Sequence, residues 1–209
     1  MDVTDNADSG GRFARRSVLG AGLGGAALSL LPLLFGRGSA GAAAPATTAP
    51  PLRPTADDVT LLGFAQGVEM AARALYDSAL ANTSVAGIDR DVILTIRESH
   101  DAYVQGLSGL LGRAAPLQVN ADAVAAFEAA FSGSLADVLA AAYTLESTAV
   151  ATHRDILGQL QGTDGANLIA SILIIEARHG TVLAAMGGKT SLDDLLVSEE
   201  AAALAPAKG

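Results

Sequence analysis

The chain is 209 residues long, half hydrophobic and only 4% aromatic, and it carries a formal net charge of −9 at pH 7. It contains no Cys, which excludes a disulfide framework, a cysteine nucleophile and a thiolate-held metal site. The acidic balance without a basic stripe makes nucleic acid an unexpected partner. Alanine and leucine dominate the sequence. Because both are strong helix formers, we expect an all-α domain that follows a leader segment.

Residues 1–44 have the three-part layout of an export signal. Arg15 and Arg16 precede an apolar run rich in Gly and Ala, and small residues that offer a cleavage site follow near Ala42 or Ala44. The arginine pair and the modest hydrophobicity of the run resemble a twin-arginine signal. We therefore expect export to the periplasm, the cell envelope or the extracellular space. An uncleaved membrane anchor is the alternative, and it would be the chain's only association with a membrane.

Three further segments follow the signal. Residues 45–54 are rich in Pro, Ala and Thr and predict a disordered linker. A helical domain is predicted over residues 55–190. Residues 191–209 are predicted to form a C-terminal tail, whose end, rich in Gly, Ala, Pro and Lys, should be loose. Within that tail, Ser191 is a candidate cap for a short helix that would run through Glu200.

Four long segments carry apolar residues at helical spacing. They span approximately residues 55–81, 89–111, 134–161 and 166–186, and a short amphipathic helix over 122–131 precedes the third. A capping-box pattern opens the first helix at Thr55, and Gly187 with Gly188 ends the last. Because each long helix has one apolar stripe, we predict an antiparallel four-helix bundle that includes one longer crossover connection.

Glu176 and His179 stand one helical turn apart in the otherwise apolar last helix. A buried carboxylate is costly unless it is paired, protonated or bound to a metal ion. Glu-x-x-His projecting into a bundle is also the arrangement of di-metal carboxylate proteins. The pattern therefore indicates a metal site, and a metal-free Glu–His pair in the core or a helix edge beside Arg178 is the alternative.

Each of the other long helices places a polar side chain near its middle, on or beside the apolar stripe. These residues are Glu69 in the first helix, His100 or Asp101 in the second and Glu146 in the third. Carboxylates combined with imidazoles suit iron or manganese, so metal ions are the expected partners. The alternative for Glu69 is a solvated ion pair with Arg73, one turn further along the helix.

The remaining histidine and the tyrosines are expected to have structural roles. His153 lies two turns beyond Glu146 and is interpreted as a histidine of the core or its rim. Tyr76, Tyr103 and Tyr143 are interpreted as packing residues whose hydroxyl groups find a hydrogen-bond partner.

Three segments resemble the exported bacterial ferritin-like domain proteins of the ferritin-like superfamily. They are residues 64–76, 145–150 and 175–179, and the last is the most specific. The resemblance covers roughly residues 56–190 and implies a ferritin-like bundle. The metal ligands that it implies are Glu69, Glu146, Glu176 and His179.

The second helix departs from the family pattern. When it is aligned with the family's His-Glu-x-x-His pattern, Asp101 takes the place of the glutamate and Val104 that of the second histidine. Valine cannot coordinate a metal, and aspartate reaches one methylene less far than glutamate. His100 is a possible substitute ligand. The predicted site could therefore be asymmetric, mononuclear or lost.

The resemblance implies an exported protein with a di-iron or di-manganese carboxylate site for metal oxidation or peroxide handling. The alternative is a bundle of the same fold that has lost catalysis and acts as a structural or interaction module in the cell envelope. The second helix is the feature that separates these hypotheses, because an intact Glu-x-x-His there would favour the metal site.

Overall fold

The structure, a computed structural model, describes residues 49–206. The predicted signal over residues 1–44 lies outside this range, as does the beginning of the predicted linker. The described chain contains no strand, which confirms the all-α prediction, and its elements are α1 (Ala56–Ala81), α2 (Gly87–Leu111), a 3-10 turn (Gly112–Ala114), α3 (Ala121–Phe131), α4 (Leu135–Leu157), α5 (Thr163–Met186) and α6 (Leu192–Leu195).

The predicted capping signal at the start of α1 forms as expected. Thr55 Oγ1 accepts a hydrogen bond from Asp58 N, and the Asp58 carboxylate accepts one from Thr55 N. Ser134 and Asp137 form the same reciprocal pair at the start of α4. These pairs satisfy backbone N–H groups that the first turn of a helix leaves without partners.

A long crossover between α2 and α4 sets the topology. Residues 112–134 run back along α1, where Asn120 N donates to the Gly67 carbonyl at 3.0 Å, and they end where the Asn82 amide donates to the Gly133 carbonyl at 2.7 Å. The helix α4 therefore begins beside the C-terminal end of α1. The pairs α1–α2 and α4–α5 form two hairpins that pack together as a four-helix bundle, as the sequence predicts.

Apolar side chains fill both ends of the bundle. The first cluster includes Leu75, Tyr76, Ile93, Ile96, Phe131, Val138, Leu145 and Leu183, and the second includes Leu62, Ala65, Leu107, Leu111, Ile156, Ile169 and Ile172. The four long helices contribute to both clusters. A leucine or phenylalanine buried in this way contributes about 1.5–3 kcal/mol. The polar residues of the middle turns therefore lie in a layer that is closed at both ends by apolar packing.

The C-terminal segment over residues 196–206, which we call the C-terminal strap, lies along α4. Ser191 caps α6 as expected, but α6 ends at Leu195 because the following residue adopts an extended backbone. The strap is held on α4 by hydrogen bonds from Tyr143 Oη to the Leu196 carbonyl (2.6 Å), from Ser198 N to Ser147 Oγ (3.2 Å) and from Leu204 N to Thr152 Oγ1 (2.9 Å).

A glycine in α5 permits the strap to approach closely. A Cβ atom at Gly180 would lie 2.6 Å from Val197 Cγ1 and 3.9 Å from the Cβ of Glu146. The strap therefore crosses the α4–α5 groove at the level of the buried polar layer.

Candidate metal centre

Six ionisable side chains meet in the layer between the two apolar clusters. The side chain of His179 is 12% exposed and the other five are completely buried. They form two groups, and within each group the possible ligand atoms lie within 4.8 Å of one another. The first group contains His100, Glu146 and His179, and the second group contains Glu69, His153 and Glu176.

Helical spacing explains why α4 and α5 each supply two of these side chains. Glu176 and His179 are three residues apart in α5, and Glu146 and His153 are seven residues apart in α4, so each pair shares one helix face. The two helices run antiparallel. Glu146 therefore lies opposite His179, and His153 lies opposite Glu176.

In the second group, one histidine stands between two carboxylates. His153 Nδ1 lies 2.8 Å from Glu176 Oε2, and its Nε2 lies 3.2 Å from Glu69 Oε1. Glu176 belongs to α5 and Glu69 to α1, so this histidine joins helices of both hairpins.

In the first group, Glu146 is the central residue. Its Oε1 accepts a hydrogen bond from Tyr76 Oη at 2.5 Å and lies 3.0 Å from His100 Nε2. Its Oε2 lies 3.4 Å from His179 Nδ1. His100 connects the two groups, because its other nitrogen, Nδ1, lies 2.7 Å from Glu69 Oε2.

Burial and the opposite charges compete in setting the pKa values. Burial disfavours a charged imidazole, but Glu176 and Glu69 raise the pKa of His153 to about 9, and Glu146 and Glu69 raise the pKa of His100 well above its usual range. Burial raises the pKa of Glu176 to about 7. Glu146 is also buried, yet the neighbouring His100 and His179 lower its pKa to about 2.

The layer holds five buried atoms that have no hydrogen-bond partner within the described part of the chain. They are Glu69 Oε1, Glu146 Oε2, Glu176 Oε1, His153 Nε2 and His179 Nδ1. A buried polar atom without a partner is uncommon and costs about 1–3 kcal/mol. Carboxylate oxygens and imidazole nitrogens are suitable ligands for iron and manganese. The donor set of this layer therefore fits a metal centre.

The structure brings together five of the six side chains predicted from sequence as metal ligands, namely Glu69, Glu146, Glu176, His179 and His100. The alternative considered for Glu69, a solvated pair with Arg73, does not form. Glu69 is completely buried, and Arg73 pairs with another carboxylate.

Asp101 is the predicted ligand that the structure places elsewhere. Its Oδ1 accepts a hydrogen bond from Arg73 Nη1 at 2.8 Å, and its side chain is 31% exposed. Successive residues of an α-helix point about 100° apart. Because His100 points into the bundle, Asp101 points outward between α1 and α2. Val104 is buried but offers no donor atom, so α2 contributes His100 alone to the layer.

His153 is the member of the layer that the sequence interpretation assigned to the core or its rim. Its position seven residues after Glu146 places it on the same face of α4, and this spacing is the signal that could have identified it. A lone histidine on an apolar stripe is equally compatible with simple packing. Contact with Glu69 and Glu176 distinguishes the two cases.

A model of the ferritin-like domain family matches residues 57–189. This match spans the four long helices and all six side chains of the layer, and the chain belongs to the ferritin-like domain family. No significant match was found among curated proteins or among solved structures. Di-metal members of this fold class place one Glu on each of two helices and Glu-x-x-His on the other two. Here α2 lacks that motif, and α4 carries an additional histidine, His153.

Proposed function

We propose that this ferritin-like protein is an exported metalloprotein whose buried layer holds two iron or manganese ions for metal oxidation or peroxide handling. The observation that supports the proposal is the set of five buried carboxylate and imidazole atoms that make no hydrogen bond within the described chain, four of which face one another in two ion-pair contacts of 3.2 and 3.4 Å. They face one another in two groups, inside a layer that apolar clusters close at both ends. A cluster that served packing alone would leave few such atoms without partners.

In this proposal the chain holds the metal ions, orients their ligands and seals the site from water. Carboxylates from α1, α4 and α5 would offset the charge of cations in the core, and His153 and His179 would add imidazole donors that lose a proton when they bind the metal. Tyr76 Oη holds one oxygen of Glu146 and leaves the other oxygen free. Iron or manganese bound here would supply the redox chemistry.

The export part of the proposal is supported by sequence alone. Arg15 and Arg16 precede a modestly hydrophobic run that ends at small residues. The experiment is fractionation of cells that express the full chain, compared with a variant that carries Arg15→Lys and Arg16→Lys. We expect the wild-type domain outside the cytoplasm and the variant retained within it. Equal export of both would exclude a twin-arginine route.

The metal proposal is tested by elemental mass spectrometry of protein purified without chelator. We expect about two equivalents of iron or manganese per chain, with clear loss in Glu176→Gln. The matched control is Glu128→Gln, because Glu128 is exposed on α3. Absence of metal from the wild type, together with unchanged or increased stability of Glu176→Gln, would contradict the proposal.

That result would favour the non-catalytic bundle, and one observation already agrees with it. His100 pairs with both Glu69 and Glu146, so part of the layer satisfies itself without a metal ion. The five atoms that remain without partners favour the metal centre over this alternative.

A further inference from the structure

Among the three histidines of the layer, His100 is distinguished by hydrogen bonds at both ring nitrogens. His153 also lies between two carboxylates, but its Nε2, 3.2 Å from Glu69 Oε1, makes no hydrogen bond within the described chain. In His100, Nδ1 lies 2.7 Å from Glu69 Oε2 and Nε2 lies 3.0 Å from Glu146 Oε1. The ring is completely buried. It stacks on Tyr76 with centroids 5.3 Å apart, and it meets Tyr103 edge-on at 5.8 Å. Its orientation is therefore fixed, and neither nitrogen is free to bind a metal ion.

The two carboxylates that contact His100 each keep one oxygen free. Glu69 Oε1 and Glu146 Oε2 have no hydrogen-bond partner in the described chain, whereas the opposite oxygen of each contacts the imidazole. The free oxygens face the other histidines, at 3.2 Å for His153 and 3.4 Å for His179. Such contacts behind a ligand fix its orientation at a metal.

We propose that His100 is a positioning residue and not a metal ligand, and that the centre therefore has two unequal metal positions. This inference rests on the proposed function, because it requires two divalent ions to bind in the layer. The atoms of the tighter position are Glu69 Oε1, His153 Nε2 and Glu176 Oε1, and those of the weaker position are Glu146 Oε2 and His179 Nδ1.

The difference in affinity follows from the donor sets. The tighter position has two carboxylates and one imidazole, whereas the weaker position has one of each. A second carboxylate strengthens the attraction of a divalent cation at short range, and metal affinity rises with the number of charged ligands. The two positions should therefore fill in sequence.

The experiment is a titration of the full chain with Mn²⁺ after removal of bound metal. Bound ions are counted by equilibrium dialysis and elemental mass spectrometry. For the wild type we expect about two equivalents, the first bound at least about tenfold more tightly than the second. Two ions of equal affinity would overturn the inference.

Substitutions on α5 assign the two binding steps. Glu176→Gln preserves the shape of the side chain but removes its charge, and it should weaken the first step. His179→Gln should eliminate the second step and leave the first in place. The matched control, Glu128→Gln, changes an exposed glutamate and should alter neither step. Loss of the first step in His179→Gln would contradict the assignment.

The His100→Gln variant tests the positioning role. Loss of a contact behind a ligand typically weakens metal binding by about 10–100-fold. We therefore expect His100→Gln to bind about two equivalents at lower affinity, and His100→Ala to bind more weakly than His100→Gln because it cannot donate a hydrogen bond. If His100 were a ligand, His100→Gln would lose about one equivalent, as His179→Gln does.

A measurement on the wild type does not depend on the folding of any variant. In the Co²⁺-loaded protein, NMR resolves strongly shifted, exchangeable imidazole N–H signals from histidines that coordinate the metal. We expect about two, from His153 and His179, and a third signal of equal shift would overturn the inference. Failure of the wild type to bind any Mn²⁺ or Co²⁺ would instead contradict the proposed function itself.

Discussion

The two hairpins of the bundle contribute to the polar layer in different ways. The α4–α5 hairpin supplies Glu146, His153, Glu176 and His179, and each of these side chains presents an atom without a hydrogen-bond partner. The α1–α2 hairpin supplies Glu69 and His100, and only Glu69 has such an atom. The α4–α5 hairpin therefore provides most of the candidate ligands.

The α1–α2 hairpin mainly orients the candidate ligands that the α4–α5 hairpin provides. Tyr76 and His100 both contact the same oxygen of Glu146, across the boundary between the hairpins. The loss of Glu-x-x-His from α2 is consistent with this division of roles, because a residue that orients a carboxylate does not need to bind the metal. The contacts between the hairpins then determine whether the layer keeps its geometry, and these contacts can be broken one at a time.

The largest effect on stability is expected for Tyr76→Phe. The hydroxyl is completely buried and donates to Glu146 Oε1 at 2.5 Å. Because a hydrogen bond to a charged group contributes more than a neutral one, we expect a loss of about 2 kcal/mol in the free energy of unfolding of the metal-free protein. Chemical denaturation measures this loss. In the comparison variant Tyr143→Phe, the lost hydrogen bond is exposed, so an equal loss in both variants would contradict the importance of the buried contact.

The second prediction concerns Asp58, which joins the hairpins at one end of the bundle. Its carboxylate accepts hydrogen bonds from the backbone N–H groups of Thr55, Gln161 and Gly162, each at 2.8 Å. Burial opposes ionisation, but these N–H groups lower the pKa of the carboxyl below its usual value. A lowered pKa in the folded state stabilises the protein above the unfolded-state pKa of about 4, and this stabilisation is lost as the pH falls through the folded-state value.

Asp58→Asn should therefore lower the midpoint of thermal unfolding at pH 7 by roughly 5 °C. The difference from the wild type should shrink as the pH falls from about 4 through the lowered folded-state pKa of Asp58, because the carboxyl then becomes neutral like the amide. The control is Asp57→Asn, which changes an exposed neighbour in the first turn of α1. A difference that stays constant between pH 7 and pH 3 would show that the carboxylate charge is not responsible.

The sequence reveals those site residues whose positions depend only on the periodicity of a single helix. Glu176 and His179 stand out because the surrounding run of α5 is apolar. His100 and Asp101 are adjacent, and a small error in the orientation assigned to α2 exchanges the inward and outward residue. The role of His153 depends on Glu69 and Glu176, which come from other helices. A contact of that kind becomes visible only once the hairpins are packed.

The contacts of the C-terminal strap are not evident from the sequence for a related reason. The Ala-rich end of the chain has no apolar period, and composition of that kind predicts a loose tail. Two of its three anchors, Ser147 and Thr152, are hydroxyl groups of α4 that also donate to their own helix. Thr152 Oγ1 donates to the Thr148 carbonyl at 2.7 Å and accepts from Leu204 N at 2.9 Å. Such double use of a hydroxyl is not visible in the sequence around Thr152.

A smaller effect is expected for Thr152→Val, which keeps the shape of the side chain and removes the hydroxyl. Loss of the hydrogen bond from Leu204 N should cost about 1 kcal/mol in strap docking. Hydrogen exchange at the Leu204 amide measures it and should accelerate about fivefold. Thr144→Val is the matched control, since its exposed hydroxyl bonds only to the Ala140 carbonyl among the described residues. Equal exchange at Leu204 in both variants would contradict this anchor.

The smallest effect on global stability, but a clear local one, is expected for Gly180→Ala. The new Cβ would lie 2.6 Å from Val197 Cγ1, so the strap must shift. Alanine favours a helix over glycine by about 1 kcal/mol, which offsets the lost strap contact and leaves the free energy of unfolding nearly unchanged. Hydrogen exchange at the Ser198 amide should nevertheless accelerate. Gly109→Ala on α2 has no neighbour within 4 Å of the added atom and should stabilise the bundle without releasing the strap. Gly180→Ala could instead stabilise the protein as much as Gly109→Ala and leave exchange at Ser198 unchanged. In that case the strap does not require the glycine, and its position over the α4–α5 groove depends on the hydroxyl anchors alone.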